Sequence, residues 1–186
     1  MPSPTAFASW GAPTLFPPDR TAAIRGKLAL SFDRILTYDD VVVRNPTSRM
    51  LEASFASIAD AINYTVEGSL FARGRAASQY QSAPASLAAV YPTIAAAGKQ
   101  VPPESRLREI ITHVPPEADL RETITRSNTS VHLYPDVRYV PSDLVKQAHD
   151  DALAFWGAAV AVLARVPELA NTAAALLALL EPTRDD

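Results

Sequence analysis

The sequence predicts a mainly α protein: a single helical bundle fronted by an extended proline-rich arm, with room for one or two short β-hairpins. Apolar residues recur at three- and four-residue steps through most of the chain, alanine is abundant, and most prolines beyond the arm fall where helices start or stop. With 186 residues and 48% hydrophobic side chains there is enough material for one real core. Three parts follow: an arm over 1–20, a helical domain over 21–181 and a frayed tail over 182–186.

The arm carries five of the chain's 16 prolines, with Phe7, Trp10, Leu15 and Phe16 between them. That pattern is too irregular for a helix and too aromatic for a solvated linker. Proline-rich segments with spaced aromatics seat in grooves, so Phe7, Trp10 and Phe16 are candidate partner-binding residues. Residues 27–44 allow two readings. Ile24, Leu28 and Ile35 keep rough helical register from 21 to about 36, whereas the apolar runs flanking Asp39-Asp40 fit a small hairpin, with strand character over 41–43.

Asn45-Pro46 reads as a helix start, because the Asn side chain accepts from orphan amides and proline at the first helical position gives up no bond. Leu51, Phe55, Ile58, Ile62 and Val66 then form one stripe, with Glu52, Asp60 and Glu67 left for solvent. The helix continues toward Tyr80 only if Gly68 and Gly74 are tolerated; Arg73 and Arg75 near its end suit carbonyl capping or a phosphate. Residues 84–98 give a shorter helix interrupted by Pro92, with Leu87, Tyr91 and Ile94 on one side. Pro103 opens another, with Leu107, Ile110, Ile111 and Val114 apolar, which Pro115-Pro116 ends; a further short stretch runs over 116–125. From Ser142 the longest pattern begins: Leu144, Ala148, Phe155, Ala159, Val162 and Val166 on one stripe, and Val145, His149, Leu153, Trp156, Val160 and Leu163 on the next. So wide an apolar face belongs to a central, buried helix, with Leu144, Phe155, Ala159 and Val162 inaccessible. Pro167 starts the last helix. Asp150 and Asp151 read as a solvated edge, and His149 as a hydrogen-bonded core histidine.

The formal charge is −3, from 17 basic and 20 acidic residues well interspersed, so no global field draws the chain to nucleic acid or acidic lipid. Without cysteine, disulfide frameworks, thiolate metal sites and cysteine nucleophiles are excluded. The sequence holds no glycine-rich phosphate loop, metal-ligand spacing or nucleophile elbow, and so implies no cofactor. The amino-terminal stretch lacks a basic leader and an unbroken apolar run, which makes a cytoplasmic location the expectation. The apolar stretch 152–180 is interrupted by Arg165, Pro167, Glu168 and Asn171, leaving neither part at the roughly 20 residues of a membrane span. No membrane partner is expected.

One segment hints at chemistry. Arg126, Ser127 and Asn128 are followed by His132, a Pro135-Asp136 turn and the long helix from Ser142. An Arg, a polar residue, a four- to six-residue step and a His, placed ahead of the long packing helix, resembles the signature of the HEPN superfamily of helical RNA-binding and RNA-cleaving domains. The resemblance spans about 120–163. The polar residue directly after the Arg is commonly Asn, Asp or His in that superfamily; here it is Ser127, with Asn128 one place later. The resemblance implies a homodimer whose two copies line one cleft with two Arg and two His, RNA as partner, and metal-independent cleavage with Arg126 and His132 catalytic and Ser127 and Asn128 supporting. The chemistry suits the residue types: a near-neutral imidazole takes the 2′-hydroxyl proton and a guanidinium stabilises the charge gathering on phosphorus. Arg108 and His113 repeat the spacing inside a predicted helix. Two readings compete with the enzymatic one. The runs 131–134 and 137–140 also fit a β-hairpin around Pro135-Asp136. At the level of function, a non-catalytic assembly subunit, oligomeric through its arm, is the alternative.

Overall fold

The computed structural model describes residues 19–43, 48–97, 100–112 and 142–181, and of their side chains all but those of 19, 39–43, 48–50, 52 and 142. Among the described residues there are six α-helices, three short 3-10 turns and no strand.

Ile24, Leu28, Phe32, Ile35 and Tyr38 recur every three or four residues, and the helix they imply, α1, runs unbroken over Asp19–Val43. The strand character expected for 41–43, and the hairpin around Asp39-Asp40, are therefore corrected: both lie within α1. β-branched residues disfavour helix by only tenths of a kcal/mol each, whereas burying five large side chains on one stripe is worth several. The second helix, α2, spans Ser48–Ala72 and lies antiparallel to α1. Arg20 sits against its last carbonyls, Lys27 pairs with Glu67, and Ser31 faces Ala61 and Thr65. Leu51, Phe55, Ile58, Ile62, Val66 and Leu70 are buried along it. Between the two helices runs a buried polar seam: the Ser31 hydroxyl lies 2.6 Å from the Ala61 carbonyl oxygen and 2.8 Å from the Thr65 hydroxyl, and Ser69 donates to the Thr65 carbonyl at 2.8 Å. Small residues at this seam let the helices approach closely, and each hydroxyl finds an acceptor.

The expected extension of α2 toward Tyr80 does not occur. Gly74 takes φ 69°, and the amides of Gly74 and Arg75 turn back onto the carbonyls of Phe71 and Leu70 at 3.0 and 2.9 Å. This is a Schellman closure, for which glycine is the cheapest residue. The Arg20 guanidinium completes it by donating to the carbonyls of Phe71, at 2.8 Å, and Ala72.

After a 3-10 turn at Ala77–Gln79, α3 covers Ala83–Ala95, capped by Ser82, whose hydroxyl accepts from the Ala85 amide at 3.2 Å. Pro92 is tolerated inside it, but the helix ends within one turn. Leu87 and Ile94 are buried as expected, joined by Val90; Tyr91 is only half-buried and donates to the Pro102 carbonyl at 2.7 Å. Helix α4, Glu104–Thr112, buries Leu107 and Ile110. Helix α5, Ser142–Leu163, packs against α1, α2, α3, α4 and α6 (Ala170–Leu177), which makes it the helix around which the others close. Its buried hydrophobic residues are Val145, Ala148, Ala152, Phe155, Trp156, Ala158, Ala159, Val160 and Leu163. Trp156 donates to the Leu28 carbonyl at 2.8 Å and packs on Phe32, ring centroids 4.9 Å apart, fixing α5 to α1. Two of the positions expected to be inaccessible differ. Val162 is half-buried, and Leu144 is 42% exposed although Val145 beside it is fully buried, so at this level the adjoining stripe is the covered one. The break between Leu163 and Pro167 turns the chain by 120° into the segment Pro167–Leu180, which holds a 3-10 turn and α6, and no single helix among the described residues is long and apolar enough to cross a membrane. All six α-helices contribute to one hydrophobic core.

Candidate functional site

The bundle sets the two ends of the segment on which the sequence places chemistry. Helix α4 stops at Thr112 and α5 starts at Ser142. Arg126, Ser127, Asn128 and His132 lie between them, outside the described residues, as do His113, the alternative hairpin over 131–140 and the arm residues Phe7, Trp10 and Phe16.

Three polar groups stand where the described helices meet. At the start of α5, Lys146 and His149 both reach Asp150: Lys146 Nζ is 3.0 Å from Oδ2 and His149 Nδ1 is 3.0 Å from Oδ1. The His149 ring stacks on Tyr38 of α1, centroids 4.5 Å apart and planes within 26°. His149 is thus half-buried and held by a ring and a carboxylate, close to the expected core histidine but at the rim. Partial burial pushes the Asp150 carboxyl up, yet the hydrogen bonds from Lys146 and His149 together with their charge outweigh it, and the group sits below its ordinary value. The hydrogen bond to Asp150, then its charge, lifts Lys146.

The neighbouring Asp151 departs from expectation. It is 6% exposed and accepts two hydrogen bonds from Arg106 of α4, Nε to Oδ2 at 3.0 Å and Nη2 to Oδ1 at 2.5 Å. Sequence spacing put both aspartates on a solvated edge, but one residue is a 100° step, enough to carry Asp151 under α4 while Asp150 stays outside. Arg108, the first half of the repeated spacing, is spent on Glu104 one turn earlier, at 2.8 Å.

The third group is a groove of about 460 Å³ between α2 and the start of α3. Asp60, Asn63, Tyr64 and Glu67 present one face of α2 to it, and Tyr80 and Ser82 stand opposite. Tyr80 is held by Arg75, which donates to its hydroxyl at 3.0 Å; Arg73 instead donates to the Ala89 carbonyl of α3 at 2.7 Å, so these arginines brace the α2–α3 junction. Sequence reading assigned Asp60 and Glu67 simply to solvent. The signal that could have found the groove is the polar and aromatic set at 60, 63, 64 and 67, steps of three, one and three that share a helix face.

Among the described residues no cluster of three or more His, Asp or Glu is placed to hold a metal ion. No family model, curated protein or solved structure matches the chain.

Proposed function

We propose that this chain is a HEPN-like helical domain that acts on RNA as a homodimer in the cytoplasm, cleaving single strands without a metal, in a toxin, defence or RNA-processing setting. The observation that carries the reading is the Arg126-Ser127-Asn128 to His132 constellation, which ends ten residues ahead of the central helix α5. An all-α bundle closing around one long helix is the architecture this reading requires. Three described side chains of similar chemistry already have partners. His149 is engaged with Asp150 and Tyr38, Arg106 with Asp151 and Arg108 with Glu104.

In the proposed reaction His132 accepts the proton of the 2′-hydroxyl, whose oxygen attacks the adjacent phosphorus and expels the 5′-oxygen of the next nucleotide, which takes up a proton from solvent. Arg126 stabilises the equatorial oxygens as charge collects there. Pairing of two copies supplies two arginines and two histidines, a local positive cleft on a chain whose net charge is −3. With chelator present, His132→Ala should lower the cleavage rate by about 10²–10⁴. Arg126→Ala should lower the rate too, and should flatten the salt dependence of RNA binding by roughly one phosphate contact. His113→Ala should leave both unchanged.

The second reading, a non-catalytic assembly subunit whose arm docks on a neighbour, is motivated by the aromatics Phe7, Trp10 and Phe16 spaced between the arm's prolines. An inactive protein whose oligomeric state collapses on deletion of residues 1–18 would favour it.

A further inference from the structure

We infer that the groove between α2 and the start of α3 seats the proline-rich arm of the same chain, through Phe16 and Pro13, with the arm in polyproline-II form. The arm, residues 1–18, lies outside the described residues, and its docking is independent of the ribonuclease reading.

Phe7, Trp10, Pro13 and Phe16 fall at successive steps of three. A polyproline-II strand turns once in three residues, so these side chains stand in line along one edge, about 28 Å from Phe7 to Phe16 at roughly 3.1 Å per residue. A β-strand would send Trp10 and Phe16 opposite to Phe7, and a helical step would spread the four over half the helix. Apart from Leu15, the other positions between Phe7 and Phe16 are Ala, Ser, Gly and Thr. All three aromatics of the arm thus share a single polyproline-II edge.

The groove, about 460 Å³, offers what such an edge needs. Tyr64 stands on its α2 wall and Tyr80 opposite, with Val66 and Ala83 adding to the apolar lining. Polyproline-II segments dock on aromatic walls, and their carbonyls, which make no bonds within the strand, take side-chain donors. Arg75 donates to the Tyr80 hydroxyl at 3.0 Å, which holds the ring and leaves the hydroxyl proton for an outside acceptor. The Asn63 amide is a second donor. On the α1 side Lys27 pairs with Glu67 and covers one face of Tyr64, 5.1 Å from the ring centroid, so that rim needs no charged ligand. The arm matches it, carrying no charged side chain before Asp19.

The arm also starts where the groove ends. Helix α1 begins at Asp19, and Arg20 donates to the carbonyls of Phe71, at 2.8 Å, and Ala72. Phe71 belongs to the α2 stripe 60, 64, 67 and 71, whose first three members line the groove. Pro18 is therefore set down at one end of that stripe. From Phe71 back to Asp60 is about 16 Å along α2, which about six polyproline-II residues cover. With the arm running from Pro18 toward Asp60, Phe16 comes level with Glu67 and Tyr64, Pro13 with Asp60, and Trp10 with the exposed Ala56 and Ala53 beyond.

The chain has no cysteine, so a spin label introduced through Ala12→Cys reports where the arm lies in the full-length protein. Amide NMR signals of 60–67 and 77–83 should lose most of their intensity, while those of α6, which packs on α1 and α5, keep theirs. In an equal mixture of isotope-labelled parent and spin-labelled protein without isotope, the groove signals should stay intact, because each groove holds its own arm. Trp10→Ala with Phe16→Ala should restore the signals, and so should Ala83→Lys at an exposed position of the groove wall, with the fold checked in the same spectra. Undiminished groove signals in the spin-labelled protein, a loss that survives both sets of substitutions, or a loss in the mixture, which would give the groove to the arm of a second copy, would overturn the inference.

Discussion

Adding one methyl group at each of two glycines should move stability in opposite directions. Gly68 of α2 lies against α1: a Cβ there would meet Leu28 Cγ at 3.0 Å, Leu28 Cδ2 at 3.3 Å and Lys27 Cβ at 3.5 Å. Leu28 is fully buried and cannot step aside freely, because its carbonyl holds the Trp156 indole and the Lys27–Glu67 and Ser31–Ala61 contacts pin α1 on either side. Alanine gains about 1 kcal/mol of helix propensity, but overpacking at a closed interface costs about 1–3 kcal/mol, so Gly68→Ala should be destabilising by about 1 kcal/mol. Gly26, on the outer face of α1, has no atom within 4 Å of an added Cβ. There the propensity term stands alone, and Gly26→Ala should stabilise by about 0.5–1 kcal/mol. The two variants should differ by roughly 2 kcal/mol, or about 4–8 °C in Tm for a chain of this length. Urea unfolding followed by circular dichroism measures the difference, provided the slopes agree. Stabilisation by Gly68→Ala equal to that by Gly26→Ala would refute the close packing of α1 on α2.

Trp156→Phe keeps the ring against Phe32 but loses the hydrogen bond to Leu28 and roughly 40 Å³ of buried volume, together about 2 kcal/mol by urea unfolding. Loss of less than about 0.5 kcal/mol would mean the indole is not seated there. At the α4–α5 contact the two halves of one ion pair should be unequal: Arg106→Ala strands a buried carboxylate and should cost about 2–3 kcal/mol, whereas Asp151→Ala leaves a guanidinium that reaches water and should cost about 1 kcal/mol less. Asp150 is held below its ordinary value of 3.8, so its contribution is present above that value and is lost as pH falls through the folded pKa. Lys146 is raised above 10.5, so its contribution is present below that value and is lost as pH rises through the folded pKa. The stability difference between the parent and Asp150→Asn should accordingly shrink as pH falls below about 4.

Helix identity was legible in the sequence wherever one stripe dominated. The set Leu51, Phe55, Ile58, Ile62 and Val66 predicts α2, and the double stripe after Ser142 predicts the central α5; all of the α2 set is buried. Single-residue placement at helix rims was not legible. Leu144 and Phe155 share a stripe, but only the second has a helix over it, and Asp151 differs from Asp150 only through the arrival of Arg106 from another helix. The hairpin reading of 27–44 failed because local β propensity in 41–43 is overridden by packing of Phe32, Ile35 and Tyr38, a tertiary effect outside any short window. The groove at Asp60 depends on the Gly74 turn bringing α3 back beside α2, which spacing within α2 alone does not specify. Arg126 and His132 were singled out from spacing and resemblance alone, and their side-chain geometry lies outside the described residues.

The ribonuclease reading is tested most directly by incubating the purified protein with single-stranded RNA in excess chelator and identifying the new ends. Attack by the 2′-hydroxyl, with His132 as base, predicts a 2′,3′-cyclic phosphate on one fragment and a 5′-hydroxyl on the other, formed by the parent and by His113→Ala but not by a folded His132→Ala protein. No cleavage by the parent, cleavage that needs added metal, or cyclic phosphate ends still produced by His132→Ala would contradict it.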